Sequence, residues 1–169
     1  MKISSMRIIG LDPGLRNLGW GVVDYENGRL KHVDHGVIRT SEGALATRIS
    51  ALFTELSKIV DVLNPDLAAV EETFVNTNAA STLKLGHARA VCLLVPGLRG
   101  LPVAEYAPNT VKKALVGRGH ADKQQIGHMV RVLLPGVAPS ASDAADALAL
   151  AICHAHHGPS ASIQARVVQ

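Results

Sequence analysis

Four acidic residues stand where a folded chain can bring their carboxylates together. Asp12 and Glu71 each end a short apolar run of the kind that forms a buried strand. Asp143 and Asp146 are three residues apart near the start of a predicted helix, so both lie on one face of it. Several anions in a partly buried site are unfavourable unless cations neutralise them, so convergence would imply bound metal. Carboxylate oxygens suit Mg²⁺ or Mn²⁺, and two such ions can promote phosphodiester hydrolysis.

Each acid also has an interpretation that needs no metal. Asp12 precedes a Pro-Gly pair and is an ordinary turn residue, and Asp143 near a helix start can stabilise the helix dipole. Asp146 is harder to explain in this way, because its small apolar neighbours predict a helix packed on several sides, where a lone carboxylate needs a partner. The apolar run before Glu71 does not decide whether Glu71 or Glu72 points into the site.

The elements that must position these acids follow from the apolar pattern. Asn27-Gly28 is a hairpin signal between two strands, and apolar residues recur at helical spacing from Ala44 to Leu63. The predicted strands cover 7–11, 18–25, 30–39, 67–70 and 102–106. The predicted helices cover 44–63, 78–95 and stretches starting near Asn109, Asp122 and Ser142, each with a capping-type side chain. A hairpin meander followed by alternating helices and strands predicts an α/β fold, a mixed five-stranded sheet with helices on both faces.

The length of 169 residues predicts one domain, over residues 1–158, with a flexible tail over 159–169. Apolar residues make up 47% of the chain, but no stretch approaches the length needed to span a bilayer. The first residues lack the apolar centre of a secretion signal, so we expect a cytoplasmic protein. Cys92 and Cys153 lie far apart in apolar helical patterns and are interpreted as reduced core residues.

The net charge of +3 is unevenly distributed along the chain. Residues 1–83 carry eight Lys/Arg against ten Asp/Glu, whereas residues 84–131 carry eight against two. A basic middle beside acid-bearing flanks suits an enzyme that holds phosphates with one surface and cations with another. Solvated helix faces explain the same charges equally well.

Four blocks of the sequence resemble the RuvC-type Holliday junction resolvases. They are Ile9-Gly10-Leu11-Asp12-Pro13-Gly14, Val70-Glu71-Glu72-Thr73-Phe74, Leu83-Lys84-Leu85-Gly86-His87-Ala88-Arg89 and Asp143-Ala144-Ala145-Asp146-Ala147. They occur in the order and spacing of that family, over roughly residues 7–157. The resemblance implies a ribonuclease H-like fold, a homodimer, divalent-metal catalysis with two Mg²⁺ or Mn²⁺ ions, and paired symmetric nicks across a four-way DNA junction. It also implies cooperation with junction-binding and ATP-driven branch-migration proteins.

The resemblance assigns roles to particular residues. Asp12, Glu71, Asp143 and Asp146 fall on the catalytic carboxylates, which selects Glu71 over Glu72. Lys112 and Lys123 fall on basic positions near the scissile strand, where an ammonium group can stabilise phosphate charge, although surface lysine is the alternative. Weaker DNA contacts are assigned to Lys84, Arg89, Lys113 and Arg118.

Phe74 stands in a polar segment three residues beyond Glu71, in a chain with 3% aromatic residues. The resemblance gives it the task of unstacking bases at the crossover, as apolar wedges do at distorted steps. The alternative is that Phe74 folds back onto the core. His154, His156 and His157 lie at a helix end, where they would offset the dipole rather than bind metal.

Three other functions remain open. A nuclease that trims ribosomal RNA precursors shares the strand-Asp-Gly start, but Phe74 and the block from Lys112 to Lys123 speak against it. A sugar-kinase or actin-like ATPase uses a similar phosphate loop but needs two such domains. A non-catalytic junction-binding protein would tolerate the loss of Glu71 or Asp146.

Overall fold

The computed structural model describes residues 5–73 and 77–157. Within them, five strands form one mixed sheet in the order β3-β2-β1-β4-β5. The first three strands are antiparallel, whereas β4 runs parallel to β1 and β5 runs parallel to β4. The bounds are β1 Met6–Asp12, β2 Asn17–Glu26, β3 Arg29–Arg39, β4 Leu67–Glu71 and β5 Val103–Tyr106. Asn27 and Gly28 both adopt positive φ in the β2–β3 hairpin, as the sequence predicts.

Helices cover both faces of the sheet. They are α1 Leu45–Leu63, α2 Ala79–Leu98, α3 Pro108–Val116, α4 Lys123–Leu133 and α5 Ser142–His157. The apolar sides of α1 and α2 pack on one face, around Ile9, Leu11 and Val70. The last three helices pack on the other face, around Ile8 and Ala69. The predicted mixed sheet with helices on both faces is confirmed.

Of the capping side chains predicted near Asn109, Asp122 and Ser142, the one at Asp122 is confirmed and the one near Asn109 is not. Asp122 caps α4 in a reciprocal capping box with Gln125. The side chain of Asn78 caps α2, which was not predicted from the sequence. The prediction of a capping side chain near Asn109 is wrong, because α3 begins at Pro108 after Ala107 with no side-chain cap. At the first helical position a backbone N–H has no partner within the helix, so proline loses nothing by lacking it, and the fixed φ of its ring suits the helix. Pro108 therefore favours the start of α3 at this position.

Glycines let α5 lie directly on the middle of the sheet. A Cβ atom at Gly10 would overlap the carbonyl oxygen of Ala147, and one at Gly19 would overlap the carbonyl oxygen of Asp143. Because these strand positions carry no side chain, the backbone of α5 approaches the backbones of β1 and β2. Most of α5 is buried in consequence, as its small apolar residues predict.

Cys92 and Cys153 are buried and not joined to each other, which confirms that both lie in the core. None of the helices in the described ranges is long and apolar enough to cross a membrane. Phe74 and the predicted tail over 159–169 lie outside the described residues.

Candidate active site

Asp12 and Glu71 end neighbouring parallel strands on the same face of the sheet. Leu11 pairs with Val70 in the parallel strands β1 and β4. The residues that follow them, Asp12 and Glu71, are therefore neighbours. Side chains alternate along a strand. Since Ala69 packs in the core beneath α5, Glu71 lies on the α5 face, and Asp12 lies on that face because Gly10 contacts α5.

Glu72 does not share this position. It lies just beyond the end of β4, and its amide donates to the carbonyl oxygen of Tyr106 at 2.9 Å. Alternation directs its side chain away from the face that carries Glu71. The ambiguity left by the sequence pattern is therefore resolved by strand geometry, in favour of Glu71.

The first turns of α5 bring two further acids to the same place. Gly19 pairs with Asp12 in the sheet, and Asp143 lies against Gly19. Asp146 follows one helical turn later and interacts electrostatically with both Asp12 and Glu71. The four carboxylates predicted from the sequence therefore converge over the carboxyl ends of β1 and β4.

Burial and mutual repulsion make Asp12, Glu71 and Asp146 hard to ionise. Burial raises the pKa of Asp12 to about 8, and the negative charges of Glu71, Asp146 and Asp143 add to the effect. Burial and the charge of Asp146 raise the pKa of Glu71, while Lys112 and Lys123 oppose the shift. Burial also raises the pKa of Asp146, against the opposing effect of Lys123. An arrangement of this kind stabilises a bound cation, because the cation removes the repulsion.

The donor chemistry at this position fits a divalent cation. The converging groups are carboxylates, the oxygen ligands that Mg²⁺ and Mn²⁺ prefer. No three acidic, histidine or cysteine side chains in the described part of the chain form a compact ligand group. The fit therefore depends on the oxygen donors and on their electrostatic coupling, and it does not depend on a preformed cage.

Two lysines belong to the same site. Lys123, the first residue of α4, places its Nζ atom 3.6 Å from Oδ2 of Asp146. Lys112, half-buried on α3, lowers the pKa of both Glu71 and Asp146 through its positive charge. The structure thus brings both predicted lysines to the four acids.

The other predicted DNA contacts are not brought to the acids in this way. Lys84, Lys113 and Arg118 are exposed on α2, on α3 and just after α3. Arg89 forms an ion pair with Glu105 of β5, with 2.5 Å between Nη2 and Oε1, and so joins α2 to the sheet. This ion pair gives Arg89 a structural role that does not depend on DNA, and the sequence motif did not reveal it.

The far end of α5 holds a polar cluster that the sequence did not predict. The hydroxyl of Tyr106 and Nδ1 of His154 form a buried hydrogen bond of 2.7 Å. Burial lowers the pKa of His154, which favours its neutral form. Tyr106 pairs with Glu71 in the sheet, and this bond therefore joins the strand beside a candidate metal ligand to α5.

Comparison with known proteins identifies the class and the family. The solved structure of RuvC from Thermus thermophilus in complex with a Holliday junction substrate matches with a TM-score of 0.83 and 34% identity, over 90% of this chain and 94% of that chain. Crossover junction endodeoxyribonuclease RuvC of Paracoccus denitrificans is 58% identical over 152 residues, which are 90% of this chain and 93% of the relative. The corresponding protein of Cereibacter sphaeroides is 58% identical, over 90% of each chain.

The mixed sheet, its two helical layers and the overlay on these structures define a ribonuclease H-like nuclease fold. The sequence model of one family of such enzymes, described as crossover junction endodeoxyribonuclease RuvC, matches residues 8–154. The chain belongs to this family of DNA-cutting hydrolases.

Proposed function

We propose that this chain resolves four-way DNA junctions by paired symmetric nicks, in recombination and DNA repair. The observation that carries the proposal is the convergence of Asp12, Glu71, Asp143 and Asp146 over the ends of β1 and β4. The relative from Thermus thermophilus was solved in complex with a Holliday junction substrate, which supports the choice of DNA.

The four carboxylates would hold two divalent cations, Mg²⁺ or Mn²⁺. When bound, such ions activate a water molecule and stabilise the charge of a phosphate undergoing in-line hydrolysis. The part of the protein is to orient the acids and hold them close together, where the charge of a bound cation would favour their ionised forms. Asp12 and Glu71 are fixed on the sheet, and Asp143 and Asp146 are fixed on a buried helix, so the ligands come from rigid elements.

Lys112 and Lys123 would hold the scissile phosphate. An ammonium group is a compact point charge that stabilises phosphate oxygens without a fixed geometry. Lys123 lies within reach of Asp146 yet is 75% exposed, so it can turn toward a DNA strand at the surface. We also assign DNA contacts to Phe74 by family resemblance, to Arg118 by its place in the loop between Lys112 and Lys123, and to Lys84, Lys113 and Arg89.

A homodimer would present two identical sites to the two symmetry-related strands of a junction. The surface that supports this proposal is a stripe of α2 in which Leu83, Leu94 and Leu98 are at least half exposed. Their spacing places them on one side of the helix together with the exposed Ala90. We call this surface the α2 stripe. Junction-binding and ATP-driven branch-migration partners, and a cytoplasmic location, remain predictions from the sequence.

The site argues against one alternative from the sequence, and the comparison with a solved structure argues against another. A non-catalytic junction-binding protein has no need for four carboxylates that repel one another, since repulsion alone destabilises the fold. A nuclease acting on ribosomal RNA precursors would share the acids. What favours a DNA junction over ribosomal RNA as the substrate is therefore the Holliday junction bound by the Thermus thermophilus relative.

The test uses a synthetic four-way junction and a linear duplex of the same sequence, each incubated with the full chain and with Mg²⁺, Mn²⁺ or EDTA. We expect metal-dependent, paired nicks in the junction, at equivalent positions of two opposite strands. Equal cutting of the duplex, or cutting that persists in EDTA, would refute the proposal.

A further inference from the structure

Three arginines lie close together at the edge of the sheet where β3 ends. Arg16 is in the turn between β1 and β2, Arg39 is the last residue of β3, and Arg48 is in the first turns of α1. The amide of Thr40 donates to the carbonyl oxygen of Arg16 at 3.1 Å, and Nε of Arg48 donates to Oγ1 of Thr40 at 3.1 Å. We call these three residues the arginine patch.

The arginine patch lies at the same end of the sheet as the acids. Gly19 of β2 pairs with Asp12 and contacts Asp143. Asn17 is two residues from Gly19 on the same strand and so faces the same side. Because Arg39 pairs with Asn17, it too faces the side of the sheet that carries the acids. In the sheet, β2 lies between β3 and β1. Because neighbouring strands are about 4.8 Å apart, the axes of β3 and β1 are about 10 Å apart.

The charge of the arginine patch is accessible. Arg16 and Arg39 are exposed and Arg48 is half-buried. None of the three forms an ion pair within residues 5–73 and 77–157. Glu42, exposed in the turn before α1, is the acid nearest in sequence. The local charge therefore stays positive, although these arginines come from the half of the chain in which acidic residues outnumber basic ones.

We propose that the arginine patch binds backbone phosphates of the DNA next to the scissile strand. Lys112 and Lys123 lie among the acids on the side of α3 and α4. The arginine patch lies on the other side of the acids, toward β3, where Arg39 faces the acids' side of the sheet and Arg48 reaches the sheet edge from α1 on the other face. DNA crossing the acids would then be held on both sides. Guanidinium groups suit this task, because they bind phosphate oxygens through two parallel hydrogen bonds. The inference rests on the proposed function of the site.

The test measures equilibrium binding of a fluorescent four-way junction to the full chain in EDTA, which prevents cutting, over a series of KCl concentrations. The test variant is Arg16→Ala with Arg39→Ala. The matched control is Arg29→Ala with Lys31→Ala, which removes two exposed charges from the opposite end of the same strand. Thermal unfolding checks that all proteins fold.

We expect the test variant to bind at least about 10-fold more weakly, with a slope of log K against log salt that is smaller by about two, since each phosphate contact contributes about 0.9. The control variant should match the wild type in both quantities. A test variant with the wild-type slope, or a control with an equal loss, overturns the arginine patch. A wild-type chain that does not prefer the junction to a duplex overturns the proposed function instead, and the inference with it.

Discussion

At the scale of single residues, the site separates two adjacent glutamates that the sequence leaves equivalent. Glu71 lies among the acids on the α5 face, whereas Glu72 lies just beyond the strand end, where the alternation of side chains along the strand directs it to the other face. The same isosteric change, Glu to Gln, can therefore be made at each of the two positions. The two variants have the same composition, so a difference in their activity reports on the geometry of the site.

We predict that Glu71→Gln lowers the rate of junction cutting by at least about 100-fold, because it removes a negative ligand from the cation site. Glu72→Gln should cut within about three-fold of the wild type. Junction binding in EDTA should be retained by both. Single-turnover cleavage with Mg²⁺ measures the effect, and equal losses in the two variants would place the wrong glutamate in the site.

The repulsion among the acids predicts an unusual dependence of stability on pH in the metal-free protein. The pKa of Asp12 is raised from 3.8 to about 8, so the folded state binds this proton more tightly than the unfolded chain does. The stability contributed by protonated Asp12 is full below about pH 4 and is lost as the pH rises toward about 8. Asp12→Asn removes the ionisable group, so the variant does not lose stability in this way as the pH rises.

In EDTA at about pH 8, Asp12→Asn should therefore raise Tm by at least about 2–4 °C, the shift expected for 1 kcal/mol in a domain of this size. Near pH 4 the variant and the wild type should unfold at similar temperatures. Mg²⁺ should raise Tm of the wild type more than that of the variant. Calorimetry at the two pH values decides, and a variant that is less stable than the wild type at pH 8 contradicts the repulsion.

At the scale of elements, the contact of α5 with β1 and β2 positions half of the acids. Asp143 and Asp146 reach the sheet because the backbone of α5 lies directly on Gly10 and Gly19. The spacing of these glycines along the strands is the signal that sequence reasoning missed. A glycine inside a strand often marks the close approach of another backbone.

We predict that Gly10→Ala lowers the free energy of unfolding by about 3 kcal/mol or more, because the added Cβ would overlap the backbone of Ala147 and α5 must move away. Gly127→Ala in α4 is the control. Its added Cβ would meet Nη1 of Arg131 at an ordinary 3.8 Å, and alanine is a better helix former. Urea unfolding compares the two, and an unchanged stability of Gly10→Ala would mean that the close contact is absent.

At the scale of the whole molecule, paired nicking requires two copies of the site. The α2 stripe is the surface that we assign to the contact between copies, since several large apolar side chains are exposed along one helix. The α2 stripe then determines whether two nicks are made together, whereas the acids determine whether each strand is cut.

We predict that Leu94→Glu with Leu98→Glu converts a dimer to a monomer, because burying two carboxylates at an apolar contact is unfavourable. Sedimentation should show the change of mass, and the variant should lose paired nicks while the metal site still gives single nicks. Val132→Glu, which changes an equally exposed apolar residue on α4, should remain dimeric. A wild-type chain that sediments as a monomer, or a variant that stays dimeric, would exclude the α2 stripe.

The sequence by itself determined the elements and the chemistry. The period of the apolar residues and the Asn27-Gly28 turn predict nearly all the observed strands and helices, because these signals are local. The motif residues Asp12, Glu71, Asp143 and Asp146 could be selected by their resemblance to a family of nucleases, which covers most of the chain.

Tertiary structure decided what depends on contacts between distant segments. Parallel pairing of β1 with β4 selects Glu71 by geometry, and the packing of α5 on glycines sets where Asp146 lies. It also engages Arg89 in an ion pair and brings together Arg16, Arg39 and Arg48 from a turn, a strand and a helix. Charge and apolar patterns along a sequence do not encode these neighbours, because strand order and helix packing bring together residues that are far apart in the chain.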